Sequence, residues 1–209
     1  PQVPRSTTAT TAADAEFRYD REAVGALQGL DPDRVVHVGT ASKTLAPGVR
    51  LGWMSLPADL IEEVCVAKSV ADAGSPTVDQ LALANLLVSG EYDRHVARTR
   101  HVYRRRRDRL IASLSERLPR LTVHGAAAGL HVLLRLPAQT DDRAVSAAAA
   151  SHGIRVSALS PMSLVEVADR GLVLGYGRLP VERIDDAVAA LAAVLHDGGV
   201  DEAGQTSSA

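Results

Sequence analysis

One stretch constrains this chain more than any other: Gly39-Thr40-Ala41-Ser42-Lys43-Thr44-Leu45-Ala46-Pro47-Gly48-Val49-Arg50-Leu51-Gly52-Trp53. The preceding run, Arg34-Val35-Val36-His37-Val38, predicts a strand that feeds straight into small and hydroxylated residues. A lysine follows, then a Pro-Gly turn, then an arginine inside a second apolar segment. The order predicts strand, loop and strand, with the polar groups carried on the connection. Lys43 stands out because Lys68 is the only other lysine, against many arginines. A primary amine can lose its proton and attack a carbonyl, which a guanidinium cannot do. Thr40 and Ser42 offer hydroxyls, and Gly39 and Gly48 let backbone approach closely. Arg50 carries a fork of donors suited to a phosphate. The residues by themselves leave two readings open. One is a Schiff-base site for an anionic cofactor, walled by apolar strands; the other is a hairpin with an exposed lysine.

Ser42-Lys43 followed by Pro47-Gly48-x-Arg50-x-Gly52 resembles the cofactor-lysine motif of fold-type I aminotransferases of class I/II, which use pyridoxal 5′-phosphate (PLP). The wording Gly-Thr-x-Ser-Lys-Thr-Leu-x-Pro-Gly-x-Arg-Leu-Gly is most similar to the aminotransferase-like domain of MocR/GntR-type regulators. The resemblance implies that Lys43 makes the Schiff base and that Thr40, Ser42 and Arg50 hold the phosphate. It implies amino-group transfer between an amino acid and a 2-oxo acid. The alternatives are a PLP-binding effector domain of such a regulator, with little turnover, or an inactive remnant. A homodimer is the implied state if the fold is complete, and no metal is implied; the sole cysteine, Cys65, and the lack of a membrane span point to a cytoplasmic location.

The fold class that goes with the likeness is α/β. It comprises the carboxyl-terminal part of a PLP-transferase large domain at 16–90, a long connecting helix at 91–118 and a small α/β domain at 119–197. Residues 1–15 are low in complexity and read as a disordered tail or linker, and 198–209 as a polar tail. The likeness runs over roughly 16–197, the expected extent of the carboxyl-terminal half of such a fold, so the chain is read as a fragment without the regulators' winged-helix domain. Glu16-Phe17-Arg18-Tyr19-Asp20 resembles a segment that follows the family's cofactor aspartate. Counting back in register places that aspartate and its neighbouring tyrosine near Thr11 and Ala13. A hydroxyl and a methyl cannot keep a pyridine nitrogen protonated. Asp14 falls outside the register.

Size and composition agree with a globular chain. Its 209 residues suffice for a sizeable core, and aromatics at 3% leave that core to Ala, Val and Leu. A net charge of −2 gives no global attraction to nucleic acid or to an anionic membrane. Cys65, the sole cysteine, excludes an internal disulfide and a thiolate metal cluster. No apolar run approaches the length of a membrane span.

Periodicity fills in the remaining elements. Leu60, Ile61 and Val64 predict an apolar helical face through about Lys68. A second helix carries Leu81, Leu83, Leu86 and Leu87, capped by Ser75 or Thr77. Tyr92, Val96, Thr99, Tyr103, Leu110, Leu114 and Leu118 predict one long helix from Glu91. Arg104 to Arg107 sit in its middle and spread around its circumference, which favours a solvated or bridging face over a nucleic-acid site. Strands are expected at 121–124, 130–136, 154–156 and 172–176. A helix capped by Thr140 or Asp141 ends at Gly153, and a last helix after Pro180 buries Ile184, Val188, Leu191 and Leu195. His131 reads as a strand histidine without a site role. The place of the family's carboxylate-gripping arginine falls at Val173, so no arginine is assigned to substrate.

Overall fold

A computed structural model describes residues 8–11, 17–19, 25–163 and 169–200. The chain divides into two compact units, Pro1–Arg100 and His101–Ala209. Both mix helix and sheet, as the α/β expectation requires.

The first unit is built on a three-stranded sheet. Its strands are β1 (Thr8–Thr11), β2 (Val35–Thr40) and β3 (Gly52–Ser55), with β2 in the centre. β1 runs parallel to β2, and β3 runs antiparallel to it, with Thr40 opposite Gly52 and Gly39 opposite Trp53. β1 lies within the stretch read from the sequence as a tail. Its threonines are β-branched and favour extended backbone, a local preference that low complexity masks. Phe17 and Tyr19 are buried. Ala13, Asp14, Glu16 and Asp20 lie outside the described residues.

Two helices follow, α1 (Ile61–Asp72) and α2 (Thr77–Val88), close to their predicted places. Neither contributes a buried residue, so the apolar faces foreseen for them are present but uncovered within the described residues. The capping expectation also needs correction. Pro76 takes the N-cap position of α2 without a side-chain bond. Ser75 instead joins Lys68 and Asp72 at the end of α1, where its hydroxyl donates to Asp72 Oδ2 at 3.0 Å. Lys68 Nζ donates to both.

α3 (Glu91–Arg117) is the long helix the periodicity predicts, and the boundary between the units falls within its length. Tyr92, Val96, Leu110 and Leu114 on it are buried, as is Leu118 just beyond its end. The four consecutive arginines divide as a 100° step per residue demands. Arg104 and Arg105 are exposed. Arg106 lies over the Tyr103 ring and donates to the Gly177 carbonyl, while Arg107 donates to the Ala126 carbonyl at 3.0 Å.

The second unit holds a four-stranded antiparallel sheet in the order β4-β5-β7-β6. The strands are β4 (Val123–His124), β5 (His131–Leu136), β6 (Ser157–Ala158) and β7 (Arg170–Gly175). Alternation along β5 buries Val132, Leu134 and Leu136 and leaves His131 exposed. α4 (Asp142–Ser151) is capped by Asp141, whose carboxylate accepts from the amides of Arg143 and Ala144. Gly153 follows it at φ +77°, a left-handed conformation that glycine adopts without strain. α5 (Ile184–Asp197) buries Ile184, Val188, Leu191 and Leu195, the four residues picked out by their spacing.

One strand falls elsewhere than expected. Residues 154–156 are not extended into the sheet; Ser157–Ala158 are. The backbone at 154–156 is engaged by α4 instead. The Ile154 amide donates to Ala149, and Ser146 Oγ donates to the Val156 carbonyl.

Asp142 is the buried charge of this unit. Its carboxylate accepts from Ser160 Oγ at 2.5 Å, the Ser160 amide at 2.9 Å and the Gly171 amide at 3.3 Å. Burial alone raises a carboxyl pKa. Here the Ser160 and Gly171 donors, helped by the Arg170 charge, outweigh it and hold Asp142 below its usual value of 3.8.

Candidate functional site

Thr40, Ser42, Lys43 and Arg50 all lie at or on the connection between β2 and β3, which residues 41–51 make and the Thr40–Gly52 pair closes. Its first half is one helical turn: the Leu45 amide donates to the Ala41 carbonyl at 2.8 Å. Ala41 and Thr44 take the inward places of that turn and are buried, so Lys43, between them, is exposed. Of the two readings the residues leave open, this exposure agrees with the hairpin and not with a site walled by apolar strands. The small Ala41 and the hydroxyl of Thr44 occupy the interior, and the lysine takes the outer face.

Thr40 ties the two ends of the connection together. Its hydroxyl donates to the Leu51 carbonyl at 3.2 Å and accepts from the Ser42 amide at 3.1 Å. The Ala41 amide adds a backbone bond to the same carbonyl at 3.0 Å. Thr40 is thus the loop's anchor, and Ser42 is half-buried beside it. Pro47–Val49 form a short 3₁₀ turn, and Arg50 ends it in the left-handed region at φ 51°. That conformation costs a residue bearing a Cβ about 1–2 kcal/mol. Arg50 is exposed, and at Gly48 an added side chain would meet open space.

Sequence reasoning missed the inner side of the turn. Thr44 is 2% exposed, and three of its polar bonds hold it in place. Its hydroxyl donates to the Ala41 carbonyl at 3.3 Å and accepts from the Tyr92 hydroxyl at 3.0 Å. Its carbonyl accepts from His95 Nε2 at 2.9 Å. Tyr92 and His95 stand on the first turns of α3, about fifty residues along the chain. Tyr92 counted in the sequence only as one apolar position of a helix, and His95 gave no signal. Spacing within one element cannot reveal a bond of that sequence separation.

The donor set can be tested against a PLP-type group by its chemistry. A primary amine suits an aldehyde carbon, and a guanidinium or a hydroxyl suits a phosphate. Lys43, Arg50 and Ser42 therefore fit those two ends. Among the described residues, no group of three or more His, Cys, Asp or Glu side chains is arranged to hold a metal ion, and no helix is long and apolar enough to cross a membrane. Val173 sits in the middle of β7 between Leu133 and Ser157, the position to which the sequence reading assigned no arginine.

A family model described as aminotransferase class I and II matches residues 11–191. The chain is 36% identical over 177 residues to the uncharacterized HTH-type transcriptional regulator YhdI of Bacillus subtilis (strain 168), covering 82% of this chain and 37% of that protein. It is 28% identical over 180 residues to the probable rhizopine catabolism regulatory protein MocR of Rhizobium meliloti, covering 85% and 36%. Its fold matches that of an archaeal alanine:glyoxylate aminotransferase with a TM-score of 0.85 at 23% identity, over 91% of this chain and 48% of that one. The chain thus spans less than two fifths of the length of these two curated relatives.

Proposed function

This chain belongs to the aminotransferase class I and II family, and from that premise we propose that it is a PLP-binding effector domain of a MocR/GntR-type regulator, with Lys43 as the residue that holds the cofactor. The observation that carries the proposal is the loop itself. Its only amine and its only guanidinium are both exposed on one connection whose ends are pinned by Thr40. The kinship with YhdI and MocR supports the effector role.

When bound, the cofactor would supply an electron sink for the bonds at an amino acid's Cα. Lys43 Nζ would hold the aldehyde carbon and yield it to an incoming amine. Arg50 would pair with the phosphate, and Ser42 would add a hydroxyl. Thr40 would have to give up its bond to the Leu51 carbonyl to donate to the phosphate, so its chief part would be to fix the loop. The places near Thr11 and Ala13 offer no carboxylate for a ring nitrogen, which supports binding with little turnover.

A second reading, amino-group transfer between an amino acid and a 2-oxo acid, is favoured by the family match. In it Lys43 Nζ, once displaced, would take the proton from the substrate Cα and return it as a general acid. Either role is consistent with a cytoplasmic homodimer, and the lone Cys65 suits a reducing compartment.

One experiment tests both. PLP is added to the purified chain and the near-visible band of lysine-bound cofactor is followed, with Lys43→Ala as control. Identical spectra for the two proteins would remove Lys43 from the site. If the band forms, adding amino acids separates the roles: conversion to the amine form of the cofactor indicates transfer, and a shifted but persistent band indicates sensing.

A further inference from the structure

Thr44 follows Lys43 directly, and its side chain and carbonyl are held from α3. The Tyr92 hydroxyl donates to Thr44 Oγ1 at 3.0 Å, and Thr44 in turn donates to the Ala41 carbonyl. His95 is bonded to the Thr44 carbonyl, and since a carbonyl can only accept, Nε2 carries the proton. The bonds therefore fix the peptide groups on both sides of the turn that carries Lys43. Tyr92 and Thr44 are both buried. An unpaired buried hydroxyl costs about 1–3 kcal/mol, enough to hold the register of the turn. Ala41, at the other end, is wholly buried.

We propose that Tyr92 and His95 are positioning residues for Lys43. Acting through Thr44, they set the direction from which the lysine amine meets the cofactor's aldehyde carbon. The proposal rests on the assignment of Lys43 above. Neither residue touches the reacting atoms; their effect is geometric, and misplacing a reacting group by about 1 Å can cost a hundredfold in rate. The arrangement also tolerates testing. His95 is half-buried and, with Leu45, Arg94 and Arg98, lines an open cleft of about 440 Å³, so shortening it does not hollow a core. Tyr92→Phe removes one oxygen and keeps the ring.

The two lysines of the chain provide an internal reference. The full chain is incubated briefly with PLP, reduced with borohydride, and the label on Lys43 and on Lys68 is counted by peptide mass spectrometry. In the unaltered protein Lys43 is expected to be labelled well ahead of Lys68. Tyr92→Phe, His95→Ala and Thr44→Val are each expected to lower the Lys43:Lys68 ratio by about tenfold. Thr44→Ser, which keeps the hydroxyl, is expected to restore it. Loss of folding does not imitate this pattern, because it removes the preference in the serine variant as readily as in the valine one. A preference for Lys43 that survives unchanged in Tyr92→Phe and His95→Ala overturns the positioning role and leaves the lysine assignment standing. So does a serine variant that falls as far as valine. No preference in the unaltered protein refutes the lysine assignment, and the positioning role falls with it.

Discussion

The indole of Trp53 lies across Gly39, its directly opposed partner on β2. A Cβ built on Gly39 would stand 2.5 Å from Trp53 Cζ2, well inside contact distance. Glycine is required here by a neighbour's ring rather than by an unusual φ. Trp53 is 44% exposed, so it has room to swing away. Gly39→Ala should therefore fold and expel the ring toward solvent. Trp53 is the sole tryptophan, and its emission should shift to the red and its near-ultraviolet dichroism weaken. Melting should show a cost of about 1–2 kcal/mol from lost indole burial. Unchanged emission would mean that the ring does not cover Gly39.

Asp142 should govern part of the acid limb of stability. Its folded-state pKa lies below the usual 3.8, so the charged form is favoured in the native protein. That contribution is complete above the unfolded value of about 3.9 and is lost as pH falls through the lower, folded one. Asp142→Asn cannot accept from all three donors, because its NH₂ group would face Ser160 or Gly171. Chemical denaturation at pH 7 should show a loss of about 2 kcal/mol. Between about pH 4 and the folded pKa, the variant's stability should fall less steeply than that of the parent. Parallel curves would rule out this role.

The exposed cluster at the end of α1 makes a separate claim. Asp72 is brought from 3.8 to about 2, first by its hydrogen bond from Lys68 and then by the Gly74 amide. The pair is 2.6 Å apart. In a carbon-detected NMR titration Asp72 should titrate near 2 in the parent protein and move up toward 3.8 in Lys68→Ala. The Gly74 donor remains in that variant, so the return should be incomplete. A midpoint that does not move would assign the shift to the backbone alone.

Elements that depend on local period and capping were readable in the sequence: α3 from its apolar repeat, α4 from Asp141 and Gly153, and the buried side of α5. Residues 154–156 were not, because three apolar-flanked residues look alike whether they pair in a sheet or end a helix. That Thr40, Ser42, Lys43 and Arg50 share one connection was legible because they fall within a short stretch of sequence. Their burial was not. Exposure of Lys43 follows from which neighbours fill the inside of one turn, where Thr44 is bonded by the Tyr92 hydroxyl and the His95 ring. The uncovered faces of α1 and α2 show the same limit, since apolar spacing says which side would pack and not what packs against it.

Arg50 gives the last and sharpest prediction, because one residue there serves two opposed demands. Its left-handed backbone, φ 51° and ψ 27°, is a conformation glycine adopts freely and arginine does not. Arg50→Gly removes that strain of about 1–2 kcal/mol and gives back about 0.5–1 kcal/mol in unfolded-chain entropy. The net effect should be a stability gain of up to about 1.5 kcal/mol, read from denaturant melts at pH 7. The same change deletes the loop's only guanidinium. A charge-assisted bond is worth about 1.5–3 kcal/mol, so affinity for PLP, read from the near-visible band, should fall at least tenfold. Backbone strain kept at a charged residue is expected where the side chain is needed for binding. A variant that is more stable and binds PLP as well as the parent would remove Arg50 from the phosphate site and leave its strain without a purpose.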